Sequence, residues 1–159
     1  MSLYDHTIYS LIRRNARVLG DHAALICGEE SISHRDYLDR VDRLAGGLGK
    51  AGLRRGDRVA VLSMNNLHYL DLYGAAARLG LVIAPLNWRL SKEEVATMIA
   101  DSAPRILFVE KGFQAQVQGA VGQFEGLEAV YIIGQDPGEY PSIGTLAGAT
   151  TNIGLNIGN

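Results

Sequence analysis

Arg89 is the residue whose type and setting best suit it to act on a ligand. It follows Asn87 and Trp88 on a loop delivered by a short apolar run, Leu81 to Ala84, that turns at Pro85. A guanidinium presents a planar fork of donors that can grip two oxygens of a phosphate at once. An aromatic and a cation just past a strand end occupy the place where α/β proteins put ligand contacts. The chemistry on offer is anion binding. The plainer alternative is a solvated loop arginine, the commonest fate of that residue type.

Other candidates carry less. Gly47-Leu48-Gly49-Lys50-Ala51-Gly52 matches G-x-G-x-x-G. A dinucleotide fingerprint, however, must follow a strand and open a helix, so that helix N-terminal amides meet the pyrophosphate. Here the glycines close a helix and precede a strand, which suits close packing followed by a C-cap. His6, His22, His34 and His68 have no metal-ligand spacing among themselves or with Cys27 and read as surface or capping positions. Cys27, among apolar neighbours, reads as a buried packing residue with no cationic setting to activate a thiol. The chain has no Gly-Lys-Ser/Thr phosphate loop, no G-x-S-x-G elbow and no carboxylate pair. No catalytic residue and no metal ligand is expected within it.

The elements that would position Arg89 alternate. Apolar residues at helical spacing predict a helix over Thr7 to Leu19, then a hairpin of Ala23 to Cys27 and Ser31 to Ser33. Ser33, with Asp36 three residues on, approximates a capping box for a helix carrying Tyr37, Leu38, Val41, Leu44, Ala45 and Leu48. Asp36/Arg40 and Asp39/Arg43 are i,i+4 pairs worth roughly 0.2–0.5 kcal/mol each on an exposed face, so this charge run reads as a solvated helix face. Val59 to Leu62 is a strand. Asn65 or Asn66 caps a helix to Leu79 whose apolar residues lie nearly all round, predicting burial on two sides. Ser91 and Glu94 form an S-x-x-E box for a helix through about Asp101. Arg105 to Val109 is a strand, Phe113 to about Val121 a weaker helix, and Ala129 to Ile133 a strand. Strands apolar throughout, joined by helical crossovers, predict a doubly wound, mostly parallel sheet with flanking helices, preceded by the N-terminal helix and hairpin. The expected division is an α/β unit over 1–135 and a linker with an irregular tail over 136–159, where Asn-Ile-Gly recurs at 152–154 and 156–158.

The totals are consistent with this. At 159 residues, 47% hydrophobic and 20% charged, the chain has the size and composition of one globular unit. A net charge of -2 gives no reason to expect nucleic acid, and no apolar run is long enough to span a bilayer. One cysteine excludes an internal disulfide. A single thiol and an N-terminus unlike a signal peptide lead to a cytoplasmic expectation.

Taken in order, these segments resemble the N-terminal part of the adenylate-forming superfamily, which includes acyl-CoA synthetases, aryl-CoA ligases, luciferases and peptide-synthetase adenylation domains. Ile32-Ser33-His34-Arg35-Asp36-Tyr37-Leu38 is similar to the family's (L/F)(T/S)Y-x-E-L element. Gly56-Asp57-Arg58-Val59-Ala60 resembles its GDRVA turn and strand. Ala76-Ala77-Arg78-Leu79-Gly80 through Pro85-Leu86-Asn87-Trp88-Arg89-Leu90 resembles its GAV-x-x-P-L-N-P-R-L segment, with Trp88 where the family usually has Pro. The resemblance covers roughly residues 5–135.

It implies the N-terminal subdomain of the adenylate-forming ligase fold, from an enzyme that uses ATP and Mg²⁺ to convert a carboxylic acid to an acyl-adenylate and then passes the acyl group to a thiol, often that of CoA. In CoA-forming members the arginine of P-L-N-P-R-L can meet the 3′-phosphate of CoA; that position is Arg89. Amino-acid-adenylating members usually read Pro-(Ile/Leu)-Asp-Pro here, so Asn87 with Arg89 points to a CoA ligase. The family's Ser/Thr/Gly-rich phosphate loop, ribose-binding Asp and C-terminal lysine are not found in this sequence, so the chain alone is expected to be inactive and to hold no cofactor. Its partners would be a small carboxylic acid and the rest of its own chain. Without the latter, an apolar face would be exposed or buried in an oligomer, the helix from Asn66 to Leu79 being the first place to look. Two alternatives stand beside this reading: a self-contained, non-catalytic α/β binding module, and part of an adenylation domain that loads a carrier protein.

Overall fold

The computed structural model describes residues 7–134 and 140–148. The irregular tail expected over Thr150 to Asn159 lies outside the described residues.

The N-terminal third builds a helical layer with a small hairpin beside it. Helix α1 (Ile8–Val18) starts from a reciprocal cap: Thr7 Oγ1 accepts from Ser10 N at 3.1 Å, and Ser10 Oγ accepts from Thr7 N at 2.9 Å. Strands β1 (Ala23–Cys27) and β2 (Glu30–Ser33) pair antiparallel. They form a two-stranded sheet of their own, outside the main sheet. Cys27, expected to be buried, is therefore exposed at the end of that hairpin, where no second layer covers it. Helix α2 (His34–Lys50) is capped by Ser33, whose Oγ accepts from Asp36 N at 3.1 Å. The shorter Asp36 side chain does not complete the box; its Oδ2 accepts a hydrogen bond from the Ser33 hydroxyl at 2.7 Å.

Strands β3 (Arg58–Leu62), β4 (Val82–Leu86), β5 (Ile106–Glu110) and β6 (Ala129–Ile133) form a sheet in the order β4-β3-β5-β6, parallel at every junction. The pleat divides each strand between two cores. Val59, Val61, Ile106 and Phe108 face one side, against Leu44, Leu48, Leu72 and Ala75 of α2 and of helix α3 (Leu67–Leu79). Ala60, Leu62, Leu107 and Val109 face the other, against Val95 and Ile99 of helix α4 (Lys92–Ser102). This two-sided burial is why the strands read as unbroken apolar runs.

Two boundaries differ from expectation. Pro85 does not turn the chain; it lies inside β4, opposite Val61. The strand is at the sheet edge, where a residue without an N–H forfeits no ladder bond when its nitrogen faces outward. The weak helix expected from Phe113 is instead a 3-10 stretch over Lys111–Val117. Gly112 weakens an α-helix there, and Glu110, the residue preceding it, makes no side-chain cap.

Helix α3 is enclosed on two sides, as its all-round apolar pattern requires. Leu72 and Ala75 face the sheet core, while Gly74 meets α1 and α2. A Cβ at Gly74 would stand 2.5 Å from Val41 Cγ2 and 3.2 Å from Ile12 Cδ1, so only glycine permits that approach. The helix expected to show an unpartnered apolar face is thus largely covered within the chain. Exposed apolar side chains remain at Leu70 of α3 and lie elsewhere at Ile8, Leu11 and Val18 of α1 and at Ile26. Ile26 borders a groove of about 470 Å³ between the hairpin and the start of α3, lined also by Leu25, Leu67, Tyr69, Leu70 and Tyr73. A last helical turn, α5 (Ile143–Leu146), brings buried Ile143 into the core beside α2.

At the amino edge of the sheet Arg105 ties three segments together. It donates to Asp57 Oδ2 at 2.5 Å, to Glu128 Oε1 and Oε2 at 2.8 and 2.9 Å, and to the Gly52 carbonyl at 3.1 Å. The Arg54 backbone N–H, and then Arg105, hold the Asp57 carboxyl below the usual range; the Arg105 guanidinium does the same to Glu128. A carboxylate whose pKa is depressed by folding stabilises the fold above its unfolded pKa, and that contribution is lost as pH falls through the folded value. Arg105→Gln is therefore expected to lower Tm at pH 7 and to flatten its fall between about pH 5 and pH 3, since less linkage remains to be lost. Parallel Tm–pH curves for the two proteins would reject this role.

Candidate functional site

All the strands of the main sheet run the same way, so the loops after β3, β4 and β5 meet at its carboxyl edge. The loop after β4 is a tight turn. The Asn87 carbonyl accepts from Leu90 N at 3.2 Å, and Asn87 Oδ1 accepts from Arg89 N at 3.1 Å. This side-chain mimic of a backbone turn is the arrangement asparagine favours. One residue on, α4 opens with the expected box: Ser91 N donates to Glu94 Oε2 at 2.8 Å, and Glu94 N to Ser91 Oγ at 3.3 Å. The four-residue turn is thus anchored at both ends, with Trp88 and Arg89 at its two central positions.

Those central residues have opposite fates. Trp88 is half-buried and packs on the α4-side core. Its ring lies 5.8 Å from that of Phe113, on the 3-10 stretch that follows β5. Arg89 is exposed, with its guanidinium carbon 4.1 Å from the Trp88 ring centroid. Among the described residues its guanidinium makes no ion pair or side-chain hydrogen bond. A stacked cation uses its flat face and leaves its N–H edge available, which suits an incoming phosphate. The chemistry this corner can perform is recognition of an anion.

Parallel sheets usually take a ligand where the strand order reverses, here between β3 and β5. That crevice is closed by the protein's own groups. Glu110 Oε2 accepts from Ser63 Oγ and from Met64 N, both at 2.8 Å, and Asn66 Nδ2 donates to Ser63 Oγ at 2.9 Å. Asn66 Oδ1 also caps α3 by accepting from Tyr69 N at 3.0 Å. None of these residues stands out as part of a site in the sequence. The cluster's signal is a carboxylate that ends a wholly apolar strand, Ile106–Glu110.

The other candidates fall where structural roles place them. The G-x-G-x-x-G run closes α2: Gly47 packs against the Leu146 backbone of α5, where a Cβ would clash, and Gly52 follows with a φ of 88°. His68, expected at the surface or as a cap, is buried on α3 with Nδ1 3.5 Å from Asp71 Oδ2. The charge run of α2 is only partly a solvated face. Asp39 and Arg43 pair on it as spaced, but Arg40 turns inward to Asp71 and not to Asp36. Its Nε lies 3.1 Å from both carboxylate oxygens and its Nη2 2.5 Å from Oδ2. Asp42 receives Arg78 at 2.6 Å and the Tyr9 hydroxyl at 3.0 Å, joining α1, α2 and α3. Among the described residues, no three His, Cys, Asp or Glu side chains stand together as metal ligands, and no helix is long and apolar enough to cross a membrane.

Comparison with known proteins agrees with this architecture. Residues 12–145 match the family described as AMP-binding enzyme. The 3-hydroxybenzoate–CoA/4-hydroxybenzoate–CoA ligase of Thauera aromatica is 31% identical over 121 residues, 76% of this chain and 23% of that protein. The fatty acid–[acyl-carrier-protein] ligase ScoC of Streptomyces coeruleorubidus is 36% identical over 95 residues, 60% of this chain and 18% of that protein. Among solved structures, one from Rhodopseudomonas palustris CGA009, provisionally named a long-chain-fatty-acid CoA ligase, superposes with a TM-score of 0.86 at 36% identity. That match covers 94% of this chain and 38% of the other. The chain thus spans about a fifth of the length of those two ligases, and its fold corresponds to the N-terminal part of the structure it matches.

Proposed function

Because the chain belongs to the AMP-binding enzyme family, we propose that it is the N-terminal part of a longer acid–thiol ligase and that Arg89 binds the 3′-phosphate of CoA. In the proposed reaction a carboxylate oxygen attacks the α-phosphorus of ATP and pyrophosphate leaves, giving an acyl-adenylate. The CoA thiolate then attacks the acyl carbon and AMP leaves. The observation that carries the CoA assignment is the Asn87–Leu90 turn, which holds an exposed guanidinium, without an ion pair among the described residues, at the carboxyl edge of the sheet. ATP and Mg²⁺ supply the first step. The sequence motifs that hold them in the resembling family, its Ser/Thr/Gly-rich phosphate loop among them, are not found in these residues, so we assign both to the rest of the longer ligase and read the 159 residues alone as non-catalytic.

A second reading has support from ScoC, whose name describes transfer to an acyl-carrier protein. A carrier's phosphopantetheine arm has no adenosine 3′-phosphate, so Arg89 would have no such partner. The acceptor assay separates the two. The full-length enzyme, given ATP, Mg²⁺ and a panel of fatty and aryl acids, is expected to form thioesters with CoA. Adenylate formation followed by transfer only to a carrier protein would overturn the CoA assignment.

A further inference from the structure

We propose that Trp88 is a positioning residue for the thiol-acceptor site, its indole holding the Arg89 guanidinium in place before a ligand phosphate arrives. This rests on the CoA reading of Arg89.

A free arginine side chain samples many rotamers, and a phosphate contact must freeze them. Here the guanidinium carbon already sits 4.1 Å from the indole centroid, so much of that ordering is complete. The indole is itself held. It packs against Phe113 at 5.8 Å with the rings inclined by 31°, and both rings pack on the core that contains Val95 and Ile99. The contact bridges the loops after β4 and β5 across the intervening β3, so the sheet fixes the platform and the platform fixes the cation. Trp88 occupies the second position of the Asn87–Leu90 turn. A proline there would pre-set φ for the turn; tryptophan cannot, and anchors the turn through its ring. No acidic side chain among the described residues pairs with Arg89, so the stack is the restraint that the structure provides.

The test measures KM for CoA and for 3′-dephospho-CoA in the full-length enzyme and its Trp88→Ala, Trp88→Leu and Trp88→Phe variants. Trp88→Ala is expected to raise the KM for CoA about two- to five-fold, as loss of an exposed cation–π contact implies, and to affect dephospho-CoA less. Trp88→Phe restores most of the preference, because a ring face remains. Trp88→Leu keeps bulk without a π face and behaves like alanine. Leucine performing as well as phenylalanine, or equal changes for both thiols, would overturn the proposal and leave a packing role. A wild-type enzyme with no preference for CoA over dephospho-CoA would instead defeat the CoA reading of Arg89. The stack then has its own readout: Trp88 is the only tryptophan of the 159 residues, so its emission in this chain should change in maximum or intensity on Arg89→Ala. Unchanged emission would overturn the stack itself.

Discussion

Asp71→Ala is expected to lower the unfolding free energy by about 3–5 kcal/mol, the cost of leaving a buried partner charge unpaired. That is a large part of the roughly 5–15 kcal/mol that holds an ordinary domain together. The Asp71 and Arg40 side chains are only 6% and 14% exposed, so water cannot replace the lost partner. Arg40 grips both carboxylate oxygens, with Nη2 2.5 Å from Oδ2, and His68 stands 3.5 Å away on the same helix. The pair joins α2 to α3, the helices that cover one face of the sheet, so its loss loosens the layer rather than a surface detail. The cost arises from the orphaned charge. Arg40→Met combined with Asp71→Leu is accordingly expected to be less destabilising than either single replacement by alanine. Urea unfolding measures all of these. A cost below about 1 kcal/mol for Asp71→Ala would mean the pair behaves as a solvated surface bridge.

That pair also shows where a sequence stops being legible. Asp36 and Arg40 have the spacing of a helical ion pair, as do Asp39 and Arg43, yet only the second forms. Arg40 has a competing partner 31 residues away on α3, and a pair out of water interacts more strongly than one in it. Local rules read local structure well. The Ser33 and Ser91 caps and the burial of β3 and β5 on both faces all depend on residues a few positions apart. The misplaced features depend on neighbours that only the fold supplies. Cys27 is exposed because its hairpin lies outside the main sheet. Pro85 fits inside β4 because that strand is an edge. Arg89 could be singled out from its loop, and Trp88 beside it. Phe113 could not be linked to them, because it approaches only once β4 and β5 flank β3. The Glu110–Ser63 closure was hidden for the same reason: its partners end two adjacent strands 47 residues apart.

Arg89→Ala in the full-length enzyme is the second large expected effect. A charge-assisted contact to phosphate contributes about 1.5–3 kcal/mol, which corresponds to a rise in the KM for CoA of about ten- to hundred-fold. The loss should be confined to the second half-reaction. Adenylation needs acid, ATP and metal but no thiol, and nothing in the Asn87–Leu90 turn places Arg89 in that step. A guanidinium that only solubilised the loop would give no such division, because its removal would leave both steps alone. One that organised the whole enzyme would damage both. The direct measurement is ATP–pyrophosphate exchange and CoA-dependent thioester formation on the same preparations of wild type and Arg89→Ala. Unchanged exchange with a ten- to hundred-fold higher KM for CoA is the result this account predicts; an unchanged dependence on CoA, or an equal loss in both half-reactions, would contradict it.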